Sequence, residues 1–259
     1  MINVIGNISK EILDFNKRIV ISYGGAIYNI LPFKFYSLGG KAYVNTDENV
    51  LPYIFLPYKI GFNESPVLRI TYRRNKEEFE ILKKGKPLTW IKCDGPKIIT
   101  TLFSDEVNIG FLKRMAKDFS GIDIQGLLRK TKATYLLNKP PSKKIIEAIN
   151  QFKIIKMNED EAEFFDLSEF TNSKVLITRG KRGAKLIAKN NELEVKGVKV
   201  KENYPVGAGS VFFSTFFIEK LKGSTDLKAL LIANAFAATF VEKGRLEKKR
   251  IAEILSLLV

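Results

Sequence analysis

The sequence predicts an α/β fold in which helices cover both faces of a mainly parallel sheet. From Lys97 onward, short apolar runs alternate with segments of helical periodicity, which is the pattern of repeated strand–helix units. Near the N-terminus, two further apolar runs are each stopped by glycine soon afterwards, as buried strands are. A hydrophobic fraction of 45% over 259 residues supplies the core of one large domain.

The N-terminal part predicts two kinds of strand. Residues 3–5 and 18–22 are the two apolar runs and are interpreted as buried strands. Residues 41–82 have a different sequence pattern, because segments 67–72 and 78–82 alternate apolar and polar side chains. Such alternation is typical of half-exposed strands, so we expect residues 41–82 to form a small sheet beside the main body.

The following two thirds predict strand–helix units and then three helices. The predicted strands, each with its helical segment, are 98–101 with 107–115, 121–124 with 127–129, 135–137 with 145–149, and 153–157 with 159–165, while 175–178 begins another unit. Residues 211–258 are interpreted as three helices, and 227–241 as a buried helix too short to span a bilayer. In folds of this class, ligands bind beyond the carboxyl ends of the strands.

Composition excludes several kinds of site. The chain has no histidine, so imidazole-based catalysis and His–zinc sites are impossible, and carboxylates, lysines, tyrosines or the thiol must do acid–base work. Cys93 is the single cysteine, which rules out an internal disulfide framework and suits a reducing compartment. Residues 1–6 lack the features of a secretory signal. We therefore expect a cytoplasmic protein.

The formal net charge of +15 is open to two interpretations. The basic residues are spread along the chain, and no zinc-finger spacing or RNA-binding aromatic motif accompanies them. A lysine-rich solvated surface is therefore the favoured interpretation, and it would also attract an anionic nucleotide. A nucleic-acid-binding surface is the alternative, and it would show salt-sensitive binding to DNA or RNA.

Three short segments carry candidate chemistry. Gly207-Ala208-Gly209-Ser210 precedes a helical run, where exposed amides and the helix dipole favour an anion, although a plain turn is equally common. Asn158 to Glu161 follows a predicted strand and opens a helix, which ordinary capping also explains. Residues 178–183 end a strand in a glycine turn that could be a hairpin.

The order of these segments resembles that of the ribokinase (PfkB) family over nearly the whole chain. Residues 24–29 resemble the family's Gly-Gly…Asn segment, and residues 123–129 resemble an Asp-Val-Gln-Gly-x-x-Arg stretch of some prokaryotic members. Asn158 and Glu161 match its Asn-x-x-Glu motif, and Thr178, Gly180 and Gly183 match its Thr-x-Gly-x-x-Gly segment. Residues 204–210 resemble its Asp-Thr-x-Gly-Ala-Gly-Asp signature, and residues 232–235 resemble its helix near the adenine.

The resemblance implies a single ribokinase-like domain over residues 1–259, with residues about 41–82 as a small β lid over the substrate. It implies a carbohydrate kinase that uses ATP and Mg²⁺ to phosphorylate a hydroxyl of a sugar-like, polyol or nucleoside substrate. The residues that it assigns are Gly207, Ala208, Gly209 and Ser210 for catalysis, Thr178, Gly180, Gly183 and Asn234 for the nucleotide, Glu11, Gly24, Gly25 and Asn29 for the substrate, and Asn158 and Glu161 for the metal.

The signature departs from the family at its last position. The family's aspartate base is replaced by Ser210, whose hydroxyl has no useful basicity near neutral pH. Tyr204 replaces the first aspartate, and Glu11 stands where the family usually has aspartate. Asp123 and Asp94 are in βα-loop positions from which a carboxylate could take over. Because phosphoryl transfer depends mainly on positioning and charge stabilisation, we expect a slow kinase.

The alternative is a relative that binds nucleotide or sugar without efficient transfer and serves as a sensor or partner protein. No membrane association is expected for either hypothesis. A homodimer through the lid is compatible with the alternating strand at 67–72.

Overall fold

The computed structural model describes residues 1–15, 18–73, 76–132, 135–189 and 191–258. The strands of the described chain are β1 (Ile2–Phe15), β2 (Arg18–Gly25), β3 (Gly40–Asn45), β4 (Tyr58–Ile60), β5 (Val67–Arg73), β6 (Lys76–Lys83), β7 (Lys97–Thr100), β8 (Ser120–Asp123), β9 (Arg129–Lys132), β10 (Tyr135–Asn138), β11 (Ile154–Asn158), β12 (Lys174–Thr178), β13 (Ala184–Ala188) and β14 (Asn191–Val195). The α-helices described are α1 (Ala26–Tyr36), α2 (Ile109–Met115), α3 (Gln125–Leu128), α4 (Lys143–Ile149), α5 (Glu159–Ala162), α6 (Ala208–Leu221), α7 (Asp226–Lys243) and α8 (Lys248–Leu258).

A main sheet runs through the body of the molecule in the order β4-β3-β1-β7-β8-β11-β12-β13-β14. Every pair from β4 to β12 is parallel, and β13 and β14 extend the sheet as an antiparallel hairpin. The central strands β7 and β8 are buried along their whole length, because helices cover both faces. The carboxyl ends of the parallel strands therefore meet at one edge of the sheet.

A second sheet stands off this body in the order β2-β1-β5-β6-β10-β9. The long strand β1 belongs to both sheets: residues 2–7 pair with β3 in the main sheet, and residues 8–15 pair with β2 and β5 in the second sheet. The second sheet, called the lid sheet below, is thus anchored to the main sheet through one continuous strand.

Helices pack on both faces of the main sheet. Helices α1, α6 and α7 contribute Phe33, Phe213 and Leu230 to the core on one face. Helices α2 and α4 contribute Phe111 and Ile149 to the core on the other. The predicted α/β fold is therefore confirmed, as are the three C-terminal helices. None of the described helices combines the length and hydropathy needed to cross a membrane.

Strand pairing corrects several predictions for particular segments. Residues 40–45 and 58–60 extend the main sheet, so the lid does not occupy 41–82; it uses 67–83 together with parts of β1, β2, β9 and β10. The run 18–22 is a strand, but its side chains at 19–21 are exposed, with Ile19 67% accessible. Residues 135–137 were predicted as the strand of a strand–helix unit but lie in the lid sheet. Residues 175–178 were predicted to begin another such unit but are followed by a hairpin. Alternation in the sequence identifies a strand but not its partner, which is chosen by long-range contacts.

Candidate functional site

A row of four polar side chains crosses the sheet at the carboxyl ends of its parallel strands. Thr100, Asp123 and Lys156 lie side by side on β7, β8 and β11, in register and therefore on the same face. Asn29 of α1 donates a hydrogen bond from Nδ2 to Thr100 Oγ1 at 2.8 Å. Lys156 Nζ donates to Asp123 Oδ2 at 3.1 Å. We call Asn29, Thr100, Asp123 and Lys156 the polar row.

The first turn of α6 lies directly over one end of this row. A Cβ atom on Gly209 would stand 3.2 Å from Nζ of Lys156, so the absence of a side chain lets the helix start approach the ammonium. Gly207 precedes the helix with a φ of 89°, a left-handed conformation that favours glycine. The amide of Ser210 donates to the carbonyl of Gly207 at 3.1 Å, and the amide of Ala208 to that of Pro205 at 3.4 Å. The motif predicted to hold a phosphate is therefore a tight turn facing a buried cation.

The predicted substrate residues at the lid side connect to this turn through Tyr28. A Cβ on Gly207 would lie 2.5 Å from the Tyr28 ring, so the glycine packs on the face of the tyrosine. Burial raises the pKa of Tyr28, and the negative charge of Glu11 raises it further, while a hydrogen bond with Ser22 opposes the shift. Glu11 is buried and packs on the backbone of Gly24. Tyr28, which sequence reasoning missed, thus lies between Glu11 and the turn at Gly207 that precedes α6.

Two other predicted substrate residues lie at the start of α1. Gly25 caps the helix with a φ of 68°, close to the backbone carbonyl of Asn7. Asn29 is fully buried, and its Oδ1 atom has no hydrogen-bond partner among the described residues. An amide oxygen in this state is an acceptor available to a hydroxyl group.

A second buried charge stands beside the polar row. The carboxylate of Glu161 is 3% exposed, and burial raises its pKa, although the positive charge of Lys156 opposes this. For Lys156, burial works against the ammonium, but Asp123 and Glu161 outweigh it and raise its pKa. Lys156 is therefore a buried cation that donates to Asp123 and is also attracted by the charge of Glu161. Sequence reasoning missed it, although a lysine inside the apolar run of β11 was a usable signal.

The predicted metal residues form a capping box at the start of α5. Asn158 Oδ1 accepts from the Glu161 amide at 2.7 Å, and Glu161 Oε2 accepts from the Asn158 amide at 2.7 Å. Within the described ranges, no cluster of three or more Asp, Glu or Cys side chains could hold a metal ion. Asn158 Oδ1 and Glu161 Oε2 are therefore both engaged by backbone amides at the start of α5.

The predicted nucleotide residues are placed differently from one another. Thr178 ends β12, and Gly180 is open, with no atom within 4 Å of the position of a Cβ. Gly183 packs against the backbone of Val195 and Gly197, and Asn234 Nδ2 donates to the carbonyl of Lys196 at 2.7 Å. Thr178 Oγ1 also donates to the carbonyl of Met157 at 3.4 Å, so three of the four residues make contacts within the protein.

The two carboxylates that could replace the missing base lie at opposite ends of the sheet. Asp123 is 1% exposed and belongs to the polar row. The backbone carbonyl of Asp94 accepts from Asn3 Nδ2 at 2.7 Å, next to Lys97, where β7 begins. Asp94 is thus excluded from the site, and Asp123 is not.

Glu106 is a buried acid in the loop that follows β7, and sequence reasoning missed it. Burial raises its pKa to about 7, although hydrogen bonds from Asn7 and the Leu102 amide work in the opposite direction. Asn7 Nδ2 donates to Oε1 at 2.5 Å, and the Leu102 amide donates to Oε2 at 2.7 Å. Asn7 lies where β1 passes from the main sheet into the lid sheet, so Glu106 fastens the base of the lid.

A cavity of about 610 Å³ lies away from the polar row, near the amino ends of β11 and β12. It is lined by Lys174, Lys220 and Asp226, among others. Both lysines pair with Asp226, and no residue of the polar row lines the cavity. We therefore place the candidate site at the polar row, where the buried charges and the helix start converge, and not at this cavity.

Comparisons with known proteins agree with the fold. The model of the pfkB family of carbohydrate kinases matches residues 107–249. The inositol 3-kinase of Arabidopsis thaliana is 28% identical over 130 residues, which are 48% of this chain and only 36% of that protein. A pyrophosphate-dependent kinase in the ribokinase family, complexed with a pyrophosphate analog and myo-inositol, has a TM-score of 0.83 at 17% identity, with 97% of this chain and 99% of that chain covered. Ribokinase from Thermotoga maritima has a TM-score of 0.74 at 15% identity, with coverages of 98% and 99%. At these identities the solved structures show the fold alone, and it is the fold that the sequence predicts.

Proposed function

The chain belongs to the pfkB family of carbohydrate kinases, and from this premise we propose that it phosphorylates a hydroxyl of a small polyol. The observation that carries the proposal is the polar row under the first turn of α6. It brings an unpartnered amide oxygen (Asn29), a carboxylate (Asp123) and a cation (Lys156) together at the carboxyl ends of the strands. Asn29 suits a substrate hydroxyl, Asp123 suits the proton that this hydroxyl loses, and Lys156 suits the phosphate.

Asp123 is the proposed proton acceptor. In the transfer, a bond forms between the acceptor oxygen and phosphorus, the bond from phosphorus to the leaving phosphate oxygen breaks, and the hydroxyl proton passes to a base. Ser210 cannot take it, whereas Asp123 is a carboxylate that lies in the row at the carboxyl ends of the strands. The proton then leaves for solvent with the product.

A cyclitol such as myo-inositol is the proposed acceptor class. An inositol 3-kinase is a curated relative of this chain, and a similar solved structure contains myo-inositol. Asn29 and Glu11 would contact substrate hydroxyls, with Gly24 and Gly25 shaping the backbone around them. A neutral polyol with several hydroxyls suits these two acceptors, because both can receive hydrogen bonds from it.

ATP with Mg²⁺ is the proposed phosphate donor. The first turn of α6 would face its terminal phosphate with the positive end of the helix dipole, while the Ala208 and Ser210 amides keep their bonds within the turn. Asn158 and Glu161 would face the water shell of the metal. Magnesium bound to the phosphates would lower their charge and favour attack by the acceptor oxygen. Thr178, Gly180, Gly183 and Asn234 would lie on the nucleotide side.

Pyrophosphate is a second candidate donor, and one observation favours it. Gly183 and Asn234, two of the residues assigned to the nucleotide, are engaged within the protein. A donor without a nucleoside would not need them, and a similar solved structure belongs to a pyrophosphate-dependent kinase.

The experiment is a matrix of two donors and several acceptors. ATP or pyrophosphate with Mg²⁺ is incubated with myo-inositol, ribose, fructose and a nucleoside, and the phosphorylated product is quantified by mass spectrometry. We expect more phosphorylated product with myo-inositol than with the other acceptors. Comparison of the ATP and pyrophosphate reactions then shows which of the two is the phosphate donor. Donor binding without product from any acceptor would instead favour the non-transferring sensor or partner protein.

The lid sheet is also the proposed surface for a homodimer. Strand β2 forms an edge of the sheet, and its side chains Ile19 and Ile21 are 67% and 61% exposed. An apolar edge strand of this kind pairs readily with another strand. Sedimentation should show a dimer for the natural protein and a monomer for the double variant Ile19→Lys/Ile21→Lys. A monomer for the natural protein as well would refute the proposal.

A further inference from the structure

Two lysines are buried in strands of the main sheet, at opposite ends. Lys97 begins β7 and is 1% exposed, and Lys156 lies in β11 and is 4% exposed. Burying an ammonium is costly unless it is paired and hydrogen-bonded, so each lysine requires an explanation.

The surroundings of Lys97 explain it as a structural residue. Its Nζ donates to the carbonyl of Lys117 at 3.0 Å and to Oδ2 of Asp118 at 3.0 Å. Asp118 is 47% exposed, so the pair reaches solvent. The ammonium is satisfied by the protein and lies far from the polar row.

Lys156 is held differently. Within the described part of the chain, its Nζ donates one hydrogen bond, to Asp123, whose side chain is itself only 2% exposed. An ammonium has three donors, so this cation has hydrogen-bonding capacity to spare. The group that faces it from above is the backbone of Gly209, in the first turn of α6.

An anion at the start of α6 would therefore meet two positive groups. The helix presents the positive end of its dipole, and Lys156 presents a point charge from the sheet. Charge-assisted hydrogen bonds of this kind are among the strongest in proteins. Asp123 accepts a hydrogen bond from this lysine, and the negative charges of Asp123 and Glu161 raise its pKa.

We propose that Lys156 binds the phosphoryl group during transfer, with Asp123 as the residue that positions its ammonium. The proposal rests on the proposed function and adds a residue to it that the glycine turn does not include. It holds for either donor, because ATP and pyrophosphate present the same terminal phosphate.

The test compares Lys156→Met with Lys97→Met, which removes the other buried strand lysine. Binding of inorganic pyrophosphate with Mg²⁺ is measured by calorimetry, together with binding of myo-inositol and with kcat and KM. For Lys156→Met we expect a loss of pyrophosphate affinity of about 10- to 100-fold, the size of one charge-assisted hydrogen bond, and a similar or larger loss of kcat/KM. Its affinity for myo-inositol should not change, and Lys97→Met should bind pyrophosphate as the natural protein does.

A second variant guards against misfolding, because Lys156→Met leaves buried carboxylates without their cation. Asp123→Asn/Lys156→Met removes one charge of each sign, and its binding of pyrophosphate should fall as in the single variant. Pyrophosphate affinity equal to that of the natural protein in either folded variant overturns the proposal, as does a natural protein that binds no pyrophosphate. Failure of the proposed function shows itself separately, as pyrophosphate binding that depends on Lys156 without product from any acceptor.

Discussion

The two ends of the main sheet hold their acids in opposite ways. At the carboxyl ends, Glu106 and Glu161 are buried, and burial raises the pKa of each. At the amino ends, Asp118 and Asp226 accept hydrogen bonds from lysines, and their pKa values are lowered. The amino ends are therefore built for stable ion pairs. The carboxyl ends carry charges in an environment that does not favour them, which is typical of functional sites.

This difference shows which charges belong to the scaffold. A carboxylate with a lowered pKa stabilises the fold, and its loss should be felt in the free energy of unfolding. A buried carboxylate beside a buried cation is poor evidence for stability, because desolvation offsets the attraction between the charges. The polar row is thus better explained by what it binds than by what it stabilises. Each prediction below sets a change at the carboxyl ends against that comparison.

The largest effect is expected from Asp123→Asn. If Asp123 takes the hydroxyl proton, kcat should fall by about 100- to 10,000-fold, the usual contribution of a general base. Asp118→Asn is the matched control at the amino ends, since it also removes the partner of a buried lysine, and its kcat should stay within about twofold of the natural enzyme. The kcat of each variant is measured by steady-state kinetics on samples with equal folded fractions. Equal kcat values for the two variants would remove Asp123 from the mechanism.

Gly209→Val should abolish most donor binding. A Cβ there comes within 3.2 Å of Lys156 Nζ, and the branched side chain would occupy the space between the helix start and the ammonium. We expect donor affinity to fall by about 100-fold, the loss of one or two charge-assisted hydrogen bonds. Gly110→Ala, in the first turn of α2, meets its nearest atom at an ordinary 3.4 Å and serves as the control for a change in a helix start. Calorimetric titration with the donor measures both.

Glu106 makes the fold itself sensitive to pH. Its folded pKa of about 7 lies above the ordinary value of 4.5, so the folded protein holds a proton that the unfolded chain releases. The stabilisation is complete below about pH 4.5 and is lost as the pH rises through about 7, by about 3 kcal/mol in total. Glu106→Gln keeps the side-chain shape without the titration, so its unfolding free energy should lose this downward slope. Denaturant unfolding between pH 5 and 8 measures it, and an unchanged slope in the variant would contradict the assignment.

Ser210→Asp should have the smallest effect. The variant restores the aspartate that the family has at this position, but with Asp123 already accepting the proton we expect kcat to rise by less than about tenfold, well under the usual contribution of a base. A rise of 100-fold or more would show that the natural protein lacks a working base, and would return Asp123 to a purely structural role. Single-turnover measurements of product formation separate this from a change in donor affinity.

The motifs at the candidate site could be found without coordinates because each is local. Glycine, asparagine and acidic residues at the starts of helices follow from backbone geometry over a few residues, as the capping box of Asn158 and Glu161 and the left-handed Gly207 show. Their order along the chain then identified the family. The replacement of the family base by Ser210 was equally visible, and so were the two carboxylates that could substitute for it.

The choice between those carboxylates was not visible, because it depends on which end of a strand each one flanks and on which face it lies. Asp94 and Asp123 are both acids near strand ends, and only the pairing of β7 with β1 and β8 separates them. The N-terminal bound of the predicted lid was wrong for the same reason: β3 lies within residues 41–82, yet it pairs with residues 2–7 in the main sheet.

The sequence by itself therefore determined the α/β class, the three C-terminal helices, the motifs and their family, since periodicity and backbone preference act over short distances. Only the tertiary structure decided that Lys156, Asp123 and Glu161 form one charged cluster under the start of α6. These residues are 33 and 5 positions apart in the chain, and their meeting is set by strand register and helix packing. The physical reason is that electrostatic interactions follow distance in space, which the order of residues does not record.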